Sequence, residues 1–315
     1  METNPPLVAV VGPTASGKTD TAIELAKLLN GEIVSADSMQ IYRGMDIGTA
    51  KPSLSEMQGI PHHMIDVADI DEAYSAARYR DEAASCIKDI HAKGKMPIVA
   101  GGTGLYLNAL TLPMVFGSVQ GDEAYRESLR AIAAEQGLHA LYGMLENADP
   151  ESAQRIHPND ERRIIRALEI YRLSGRKMSE MKMEADRENI YKKSGYDLII
   201  LGITLERTIL YERINRRVDA MVGKGLVEEV RGILKKGYDP GLQSLQGLGY
   251  KETIAFLNGQ TTLEEAIETI KRSTRRYAKR QMTWFGRDAR IKWYDAMAYS
   301  DAGELAVCMA ASVRT

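Results

Sequence analysis

An α/β fold with a parallel sheet and an inserted helical domain is predicted by three observations. First, residues 7–19 read LVAVVGPTASGKT, in which an apolar run precedes a glycine-rich turn and a helical pattern. Second, short apolar runs alternate with helical patterns over residues 1–116, as they do in parallel βαβ units. Third, residues 117–195 carry helical patterns without a convincing strand. The predicted domains are therefore an α/β core of residues 1–116 and 196–315 and a helical insertion of residues 117–195.

The strands of the core are predicted from short runs rich in valine and isoleucine. The first run leads through the glycine-rich turn into a helix that is expected to end at Gly31. After the last of these runs the core is expected to end in helices. The predicted strands are 7–11, 32–36, 96–100 and 197–204.

Three helices are predicted inside the insertion. Apolar spacing places two of them over residues 117–137 and 139–149. The third is expected to begin near Asn159, which can cap it, with Asp160 and Glu161 in the first turn, where acidic side chains favour the helix dipole.

Composition excludes several classes of protein. The chain has 315 residues, 44% of them hydrophobic, and a net charge of −2, so any surface that attracts nucleic acid has to be local. The two cysteines, Cys86 and Cys308, are far apart and fit neither a disulfide framework nor a zinc site. The first residues lack the pattern of a signal peptide, and no apolar stretch approaches the length of a membrane span. A cytoplasmic protein is expected.

The glycine-rich turn has the spacing of a phosphate-binding P-loop, which indicates a P-loop NTPase-like sheet. Gly12 is followed after four residues by Gly17, Lys18 and Thr19, between a predicted strand and a predicted helix. Glycines let the backbone N–H groups point at phosphate oxygens, and the helix directs its positive end at the same anion. Lys18 is expected to reach an outer phosphate and the Thr19 hydroxyl to hold Mg²⁺. The loop alone does not identify the phosphorylated ligand.

A second site is predicted where the next strands end. Asp37 and Ser38 follow the second strand, and Thr103 lies in the GGTGLY loop after the third, so all three are expected at one edge of the sheet. A carboxylate there can bind Mg²⁺ or act as a general base, although a simple turn aspartate is an equally good interpretation of Asp37. The third strand does not end in aspartate, as the Walker B strand of nucleotide hydrolases does, which argues against a motor-type ATPase.

A basic helix is predicted near the end of the chain, over residues 262–284. Its basic side holds six positive charges and no acid, a pattern that favours a polyphosphate partner over a merely solvated surface. Arg162, Arg163 and Arg166 form a weaker cluster in the insertion, partly paired with acidic neighbours. The apolar side of the basic helix is predicted to carry Leu263, Ile267, Ile270, Thr274, Tyr277 and Trp284, and the basic side Lys271, Arg272, Arg275, Arg276, Lys279 and Arg280.

Taken together, these motifs resemble those of the bacterial tRNA dimethylallyltransferases, also called tRNA isopentenyltransferases. A P-loop followed at this spacing by ADSMQIY, GGTGLY and HPND is specific to that family. The zinc-finger extension of eukaryotic members is absent, and Gly286 stands where members usually carry a basic residue. The resemblance rests on GPTASGKT (12–19), VSADSMQIYRGMDIGTAKP (34–52), HHMID (62–66), YSAARYRDEA (74–83), PIVAGGTGLYL (97–107), RIHPNDERRIIRALEIYRLSGR (155–176), RINRRVDAMVGKGLVEEV (213–230), LQGLGYKE (245–252) and RRYAKRQMTWF (275–285).

The resemblance implies transfer of a dimethylallyl group from dimethylallyl diphosphate to N6 of the adenosine just 3′ of the tRNA anticodon. The P-loop would then hold a diphosphate leaving group with Mg²⁺ near Thr19. Describing the motif as an ATP site would therefore misidentify the substrate. Asp37 would take a proton from the adenine amine, and Lys18 and Arg217 would hold the diphosphate. The implied diphosphate-binding residues are Gly12, Pro13, Thr14, Ala15, Ser16, Gly17, Lys18 and Thr19.

The resemblance also implies contacts to the tRNA anticodon stem-loop. Residues 37–40 would form the floor of the adenine pocket, and the insertion would grip the stem-loop. A monomer is expected, without a membrane partner. The implied tRNA-binding residues are Asp37, Ser38, Met39, Gln40, Thr103, Arg126, Glu161, Arg162, Arg163, Ile164, Ile165, Arg275, Arg276, Lys279 and Arg280.

Three alternative functions remain open at this point. An isopentenyltransferase acting on free AMP, ADP or ATP would share the P-loop and Asp37, but it would need neither the basic helix nor an insertion of this size. A P-loop kinase for a small molecule fits poorly with the missing Walker B aspartate. A non-catalytic RNA-binding protein fits poorly with the intact Lys18, Thr19 and Asp37.

Overall fold

The chain divides into two compact units, which agree with a helical segment inserted into an α/β core. A computed structural model describes residues 4–112, 121–187 and 194–313. One unit comprises Met1–Thr111 and Gly195–Thr315, and the other Leu112–Ser194. The predicted boundary between residues 116 and 117, and the start of the predicted helix at 117–137, lie outside the described residues.

Within the described residues, a six-stranded parallel sheet forms the centre of the first unit. This sheet confirms the predicted fold class. Its strand order is β3-β2-β4-β1-β5-β6, and every pairing is parallel. The four predicted strands are present, whereas β3 and β6 were not predicted. Both lie at edges of the sheet, where β3 is only two residues long and β6 is largely exposed. The strands are β1 Pro6–Val11, β2 Gly31–Ser35, β3 His62–His63, β4 Met96–Gly101, β5 Asp197–Thr204 and β6 Ile291–Asp295.

Helices cover both faces of this sheet. Their bounds, in chain order through both units, are α1 Lys18–Leu28, α2 Ala76–Ala92, α3 Gly104–Thr111, α4 Glu123–Gln136, α5 Leu138–Ala148, α6 Pro150–Arg155, α7 Glu161–Ser174, α8 Met178–Arg187, α9 Arg207–Gly223, α10 Leu226–Lys235, α11 Tyr250–Leu257, α12 Leu263–Phe285 and α13 Ala302–Ala311.

The central strand β1 is buried on both sides, which explains its uninterrupted apolar run. Leu7 and Ala9 pack into a cluster with apolar residues of α2 and α10, whereas Val8 and Val10 pack into a second cluster with residues of α1 and α13. Successive side chains of a strand point to opposite faces, so both layers of helices are held by one short segment. The P-loop that follows β1 is therefore anchored to the most buried part of the sheet.

All secondary-structure elements in the described part of the inserted unit are helices. Leu129, Leu141, Leu145 and Leu168 belong to its apolar core, between α4, α5 and α7. The predicted third helix is present as α7, but its cap is Asp160 and not Asn159, because the Asp160 carboxylate accepts the Arg163 N–H.

The predicted tRNA contact through Ile164 and Ile165 is wrong. Both side chains lie in the core of the inserted unit, with exposed fractions of 0% and 6%. They occupy the face of α7 that packs against its neighbours, so neither side chain is exposed to a ligand.

The two adjacent histidines, His62 and His63, have hydrogen-bond partners within the fold. His63 bonds the carboxylate of Glu32 at the start of β2, and His62 Nδ1 bonds the Ile60 carbonyl. Among the described residues, no helix is long and apolar enough to cross a membrane.

Glu32 is a buried carboxylate at the end of the sheet opposite Asp37, and replacing it with glutamine is expected to lower stability at neutral pH. Burial alone raises its pKa, but hydrogen bonds from Lys95, His63 and Lys93 outweigh this and hold the pKa at about 2. The stabilisation is therefore complete above the ordinary pKa of 4.5 and is lost as the pH falls towards 2. We expect a loss of about 1–3 kcal/mol that shrinks in acid, measured by thermal unfolding against pH.

Glu24→Gln, which breaks a partly exposed pair with Lys27, is the matched control and is expected to change stability little. A stability difference between the wild type and Glu32→Gln that is the same at neutral pH and in acid would contradict this account of Glu32.

Candidate active site

The P-loop begins at Gly12, where only glycine fits. A Cβ at this position would lie 2.5 Å from the carbonyl oxygen of Ile203 on β5. The turn is closed by a hydrogen bond of 3.3 Å from the Ser16 N–H to the Pro13 carbonyl. Gly17, with φ 91°, then directs the chain into α1 and offers no side chain to cap it. The N–H groups of the first turn are thus left for an anion at the positive end of the helix.

Lys18 folds back over this loop. Its ammonium donates to the Pro13 carbonyl at 2.6 Å. Burial, and next the nearby Arg217 guanidinium, lower the pKa of Lys18 to about 7, against the opposing attraction of Asp37. Burial also lowers the pKa of Arg217, while Asp37 and then Asp20 raise it. The structure thus brings together the charges of the three residues predicted to be catalytic, Lys18, Asp37 and Arg217, and an anionic ligand would stabilise the two half-buried cations among them.

Asp37 lies in the turn that follows β2. Its Oδ1 accepts the N–H groups of Met39, at 2.9 Å, and Gln40, at 3.4 Å. Asp37 is therefore a turn aspartate, as one interpretation of the sequence suggested. Both bonds fall on one oxygen, so the turn holds the carboxylate in place, and its charge acts on Lys18 and Arg217.

Thr103 joins the ends of β2 and β4. Its hydroxyl accepts the Ser38 N–H at 3.1 Å, and its own N–H donates to the Ala36 carbonyl at 3.1 Å. A Cβ at Gly101 would lie 2.2 Å from that Ala36 oxygen, so the close approach of the two strand ends requires glycine. The prediction that Asp37, Ser38 and Thr103 share one edge of the sheet is confirmed by these contacts.

The side chains of Met39 and Gln40 contact neighbouring segments of the chain. The Gln40 amide donates to the carbonyls of Thr49 and Ala50, at 3.4 and 3.3 Å, and accepts the Ser35 hydroxyl at 3.2 Å. A Cβ at Gly247 would lie 2.3 Å from Met39 Cε, so the Met39 side chain packs against that backbone.

Gln281 on α12 was not predicted as a site residue. It is 6% exposed, its Oε1 accepts the Thr14 N–H at 2.8 Å, and its Nε2 donates to the Gly102 carbonyl at 2.9 Å. One buried amide thus ties the basic helix to the P-loop and to the loop after β4. Because the Thr14 N–H is engaged in this way, a diphosphate contact of Thr14 would use its hydroxyl. The sequence offers one weak indication of this role, since Gln281 is an uncharged amide that directly follows Lys279 and Arg280 in a basic stretch.

Tyr277 lies one turn before Gln281 and also faces the site. Burial, and next the Asp37 carboxylate, raise the pKa of Tyr277 to about 12, against hydrogen bonds with Thr103 and Gln281. The hydroxyl therefore stays protonated at neutral pH. Tyr277 was predicted as an apolar residue of α12, but its hydroxyl belongs to the polar network around Asp37 and Thr103.

The basic side of α12 is only partly available to a polyanion. Lys271 pairs with Asp219 at 2.8 Å and Glu268 at 3.2 Å, and Arg275 donates to the Asn215 side chain at 2.6 Å. Lys271 and Arg275 are therefore not free cations of the predicted basic side, because Asp219 and Asn215 on α9 and Glu268 on α12 hold them. The exposed cations of this helix are Arg272, Arg276, Lys279 and Arg280.

In the inserted unit, the predicted tRNA-binding side chains have different environments. Arg126 is held by Glu169 at 2.7 Å and by Glu123 at 3.1 Å. Arg163 is exposed beside its helix cap, at 3.3 Å from Asp160. A shallow cavity of about 470 Å³ opens on the surface of this unit, lined by His157, Asn159, Asp160, Glu161 and Arg162.

A metal ion would find few protein ligands near the P-loop. Thr19 is exposed at the start of α1, and among the described residues no group of three or more His, Cys, Asp or Glu side chains could hold a metal. Mg²⁺ commonly keeps several waters and binds through one or two protein groups plus substrate phosphates. The Thr19 hydroxyl fits that mode, in which the ion arrives with a diphosphate.

Comparison with known proteins finds relatives that match most of this chain. The family model described as IPP transferase matches residues 40–288. A tRNA dimethylallyltransferase of Caldanaerobacter subterraneus subsp. tengcongensis is 51% identical over 95% of this chain and 94% of its own length. One from Halalkalibacterium halodurans is 50% identical over 92% of this chain and 90% of its own. The chain belongs to the IPP transferase family.

Solved structures of relatives extend this similarity to three dimensions. The tRNA isopentenylpyrophosphate transferase of Bacillus halodurans matches with a TM-score of 0.72 and 46% identity, over 98% of this chain and 97% of that one. A eukaryotic dimethylallyltransferase acting on tRNA matches with a TM-score of 0.79 and 31% identity, over 98% of this chain and 78% of that one. The family relation therefore covers both the α/β core and the helical insertion.

Proposed function

We propose that this chain transfers a dimethylallyl group from dimethylallyl diphosphate to N6 of the adenosine just 3′ of the tRNA anticodon, with release of diphosphate. The observation that carries the proposal is the meeting of Lys18, Arg217 and Asp37 at the edge of the sheet. Two cations beside a P-loop suit a diphosphate, and a carboxylate beside them suits an amine that has to lose a proton. The names of the relatives indicate that the transferred group is dimethylallyl and that the acceptor is tRNA.

The reaction forms a bond between N6 and the allylic carbon and breaks the bond between that carbon and the diphosphate oxygen. The bonding electron pair leaves with the diphosphate, and the N6 proton passes to Asp37. Negative charge grows on the leaving group, so preorganised N–H groups of the P-loop, Lys18 and Arg217 stabilise the transition state more than the substrate. The partial positive charge on the allylic carbon compensates for the weak nucleophilicity of an adenine amine.

The diphosphate is proposed to lie against residues 12–19. The Ser16 hydroxyl supports this, because it is buried without a hydrogen-bond partner among the described residues, and such groups usually have one. Mg²⁺ is proposed to bind the Thr19 hydroxyl together with the diphosphate, where it would neutralise part of the leaving-group charge.

The RNA is proposed to be the anticodon stem-loop. Its adenine has to leave the base stack to reach Asp37, as the target of any base-modifying enzyme does. Exposed Arg276, Lys279 and Arg280 suit contacts to the phosphate backbone, which position the substrate without reading its sequence. Arg162 and Arg163 would serve the same purpose on the inserted unit. The monomeric state and the cytoplasmic location remain predictions from the sequence.

Donor binding is expected to weaken as the pH rises above 7. A diphosphate favours protonated Lys18, whose pKa in the free protein is about 7, so binding takes up a proton. The dissociation constant of inorganic diphosphate should therefore rise by up to about tenfold per pH unit above neutrality. Calorimetric titration at several pH values measures this rise.

Inorganic diphosphate also changes its own charge over this pH range, which affects binding to any variant. Lys18→Arg, whose guanidinium stays charged throughout, therefore serves as the reference for the pH dependence of the ligand alone. We expect a steeper pH dependence for the wild type than for Lys18→Arg. Identical slopes for the two proteins would contradict the role of Lys18.

The function itself is tested by label transfer from radioactive dimethylallyl diphosphate with Mg²⁺. The acceptors compared are unmodified tRNA, AMP and ATP. Transfer to tRNA alone supports the proposal, and transfer to free nucleotides would reassign the chain to adenylate isopentenyltransferase activity. Label in none of the acceptors would reject prenyl transfer.

A further inference from the structure

Trp284 is a large apolar side chain exposed beside the candidate active site. It lies seven residues after Tyr277 on α12, and a Cβ at Gly104 would lie 2.3 Å from its Cδ1 and Nε1. One edge of the indole therefore lies against the start of α3, immediately after Thr103. The side chain nevertheless remains 43% exposed, and the neighbouring Leu105 is 52% exposed. Together Trp284 and Leu105 form an apolar patch, which we call the Trp284 patch.

The Trp284 patch has positively charged surroundings. Arg280 is exposed one turn earlier on α12, and exposed Arg287 follows the patch, with its N–H bonded to the Trp284 carbonyl at 3.3 Å. An exposed aromatic ring between cations is typical of surfaces that bind single-stranded nucleic acid, where bases stack on the ring and phosphates meet the cations. This charge pattern argues for RNA as the occupant over an apolar protein surface.

We infer that the Trp284 patch binds the base of an unpaired nucleotide next to the adenosine that enters the Asp37 site. The inference rests on the proposed function. Trp284 lies seven residues after Tyr277, roughly 10 Å farther along the axis, so its ring is displaced along the helix from the part that faces Asp37. RNA loops are recognised through splayed bases that stack on aromatic side chains. A stacked neighbour would hold the strand in the extended form that presents the adenine to Asp37.

The chain offers a matched control, because it has two tryptophans. Trp293 on β6 also packs against a glycine, at 2.6 Å from a Cβ built on Gly202, and it is 36% exposed. Trp293→Phe leaves Trp284 as the fluorescent reporter, and Trp284→Phe leaves Trp293. We expect an anticodon stem-loop RNA to quench the emission of the Trp293→Phe protein and to leave that of the Trp284→Phe protein unchanged.

Affinity measurements at several salt concentrations separate stacking from charge. Trp284→Ala is expected to weaken stem-loop binding about 5- to 150-fold at every salt concentration, with an unchanged salt slope and an unchanged KM for dimethylallyl diphosphate. Arg280→Gln should instead reduce the salt slope by about one. Trp284→Phe, which keeps an aromatic face, should retain most of the affinity, and Trp293→Ala all of it.

The outcomes distinguish this inference from the proposed function. Quenching at Trp284 without any prenyl transfer would support the stacking site and reject the proposed reaction. Prenyl transfer with no quenching at Trp284 and with wild-type stem-loop affinity of Trp284→Ala would overturn the stacking site and leave the reaction standing.

Discussion

Replacing Asp37 with asparagine is expected to lower kcat for prenyl transfer about 10²- to 10⁴-fold, the range of a lost general base. The amide oxygen of asparagine can still accept the Met39 and Gln40 N–H groups, so the turn after β2 should persist. The amide cannot take the N6 proton. The KM values for donor and tRNA should therefore change far less than kcat, as steady-state kinetics with each substrate varied will measure.

Asp20→Asn is the matched control for Asp37. Asp20 also raises the pKa of Arg217, but it lies in the first turn of α1 and not in the turn after β2. If Asp37 acted only by its charge on Arg217, Asp20→Asn would also lose activity, although less, because Asp20 has the smaller effect on Arg217. A loss of kcat in Asp37→Asn that Asp20→Asn does not share supports proton transfer, whereas equal losses would contradict it.

Replacing Gln281 with leucine is expected to raise the KM for dimethylallyl diphosphate about 10- to 100-fold, because two buried groups lose their partner. The Thr14 N–H and the Gly102 carbonyl are bonded to this one amide. Without it, the P-loop is no longer held in the conformation that receives the diphosphate. Stem-loop binding should remain near the wild-type value, since the exposed cations of α12 are unchanged.

Thr283→Ala, an exposed change in the same helix, is the control for a general effect on α12. Gln281→Met keeps a flexible side chain of similar length and provides a second variant should the leucine protein unfold. Thermal unfolding of each protein accompanies the kinetics. Equal weakening of donor binding and stem-loop binding in a folded Gln281 variant would contradict a specific role in positioning the P-loop.

The parts of the site that the sequence predicted are those built from local segments. Gly12, Gly17 and Lys18 lie within a single turn between a strand and a helix, so their spacing determines the geometry of the loop. Asp37 and Thr103 were predicted from their position at the ends of parallel strands, which meet at one edge of a sheet.

The parts that the sequence did not predict depend on distant segments. Gln281 bonds a residue 267 positions away, and no pattern around either residue announces that contact. Asp219 and Asn215, which hold Lys271 and Arg275, lie on α9, far from these residues in the sequence. Strands β3 and β6 are too short or too exposed to show a distinct apolar pattern.

The prediction of Ile164 and Ile165 as RNA contacts failed for a different reason. The resemblance transferred a whole segment, residues 161–165, as an RNA contact, although a helix divides such a segment between two faces. Arg162 and Arg163 lie on the exposed face of α7, whereas the isoleucines lie in the core. Helical periodicity applied to the segment would have separated the two groups.

The central claim is that this chain modifies one adenosine of tRNA with the carbon group of an allylic diphosphate. The most direct measurement is mass spectrometry of nuclease fragments of an unmodified tRNA after incubation with the protein, Mg²⁺ and dimethylallyl diphosphate. The account predicts a dimethylallyl group on N6 of the adenosine just 3′ of the anticodon, formed by the wild type and strongly reduced with Asp37→Asn. The group on any other nucleotide, or equal modification by both proteins, would contradict it.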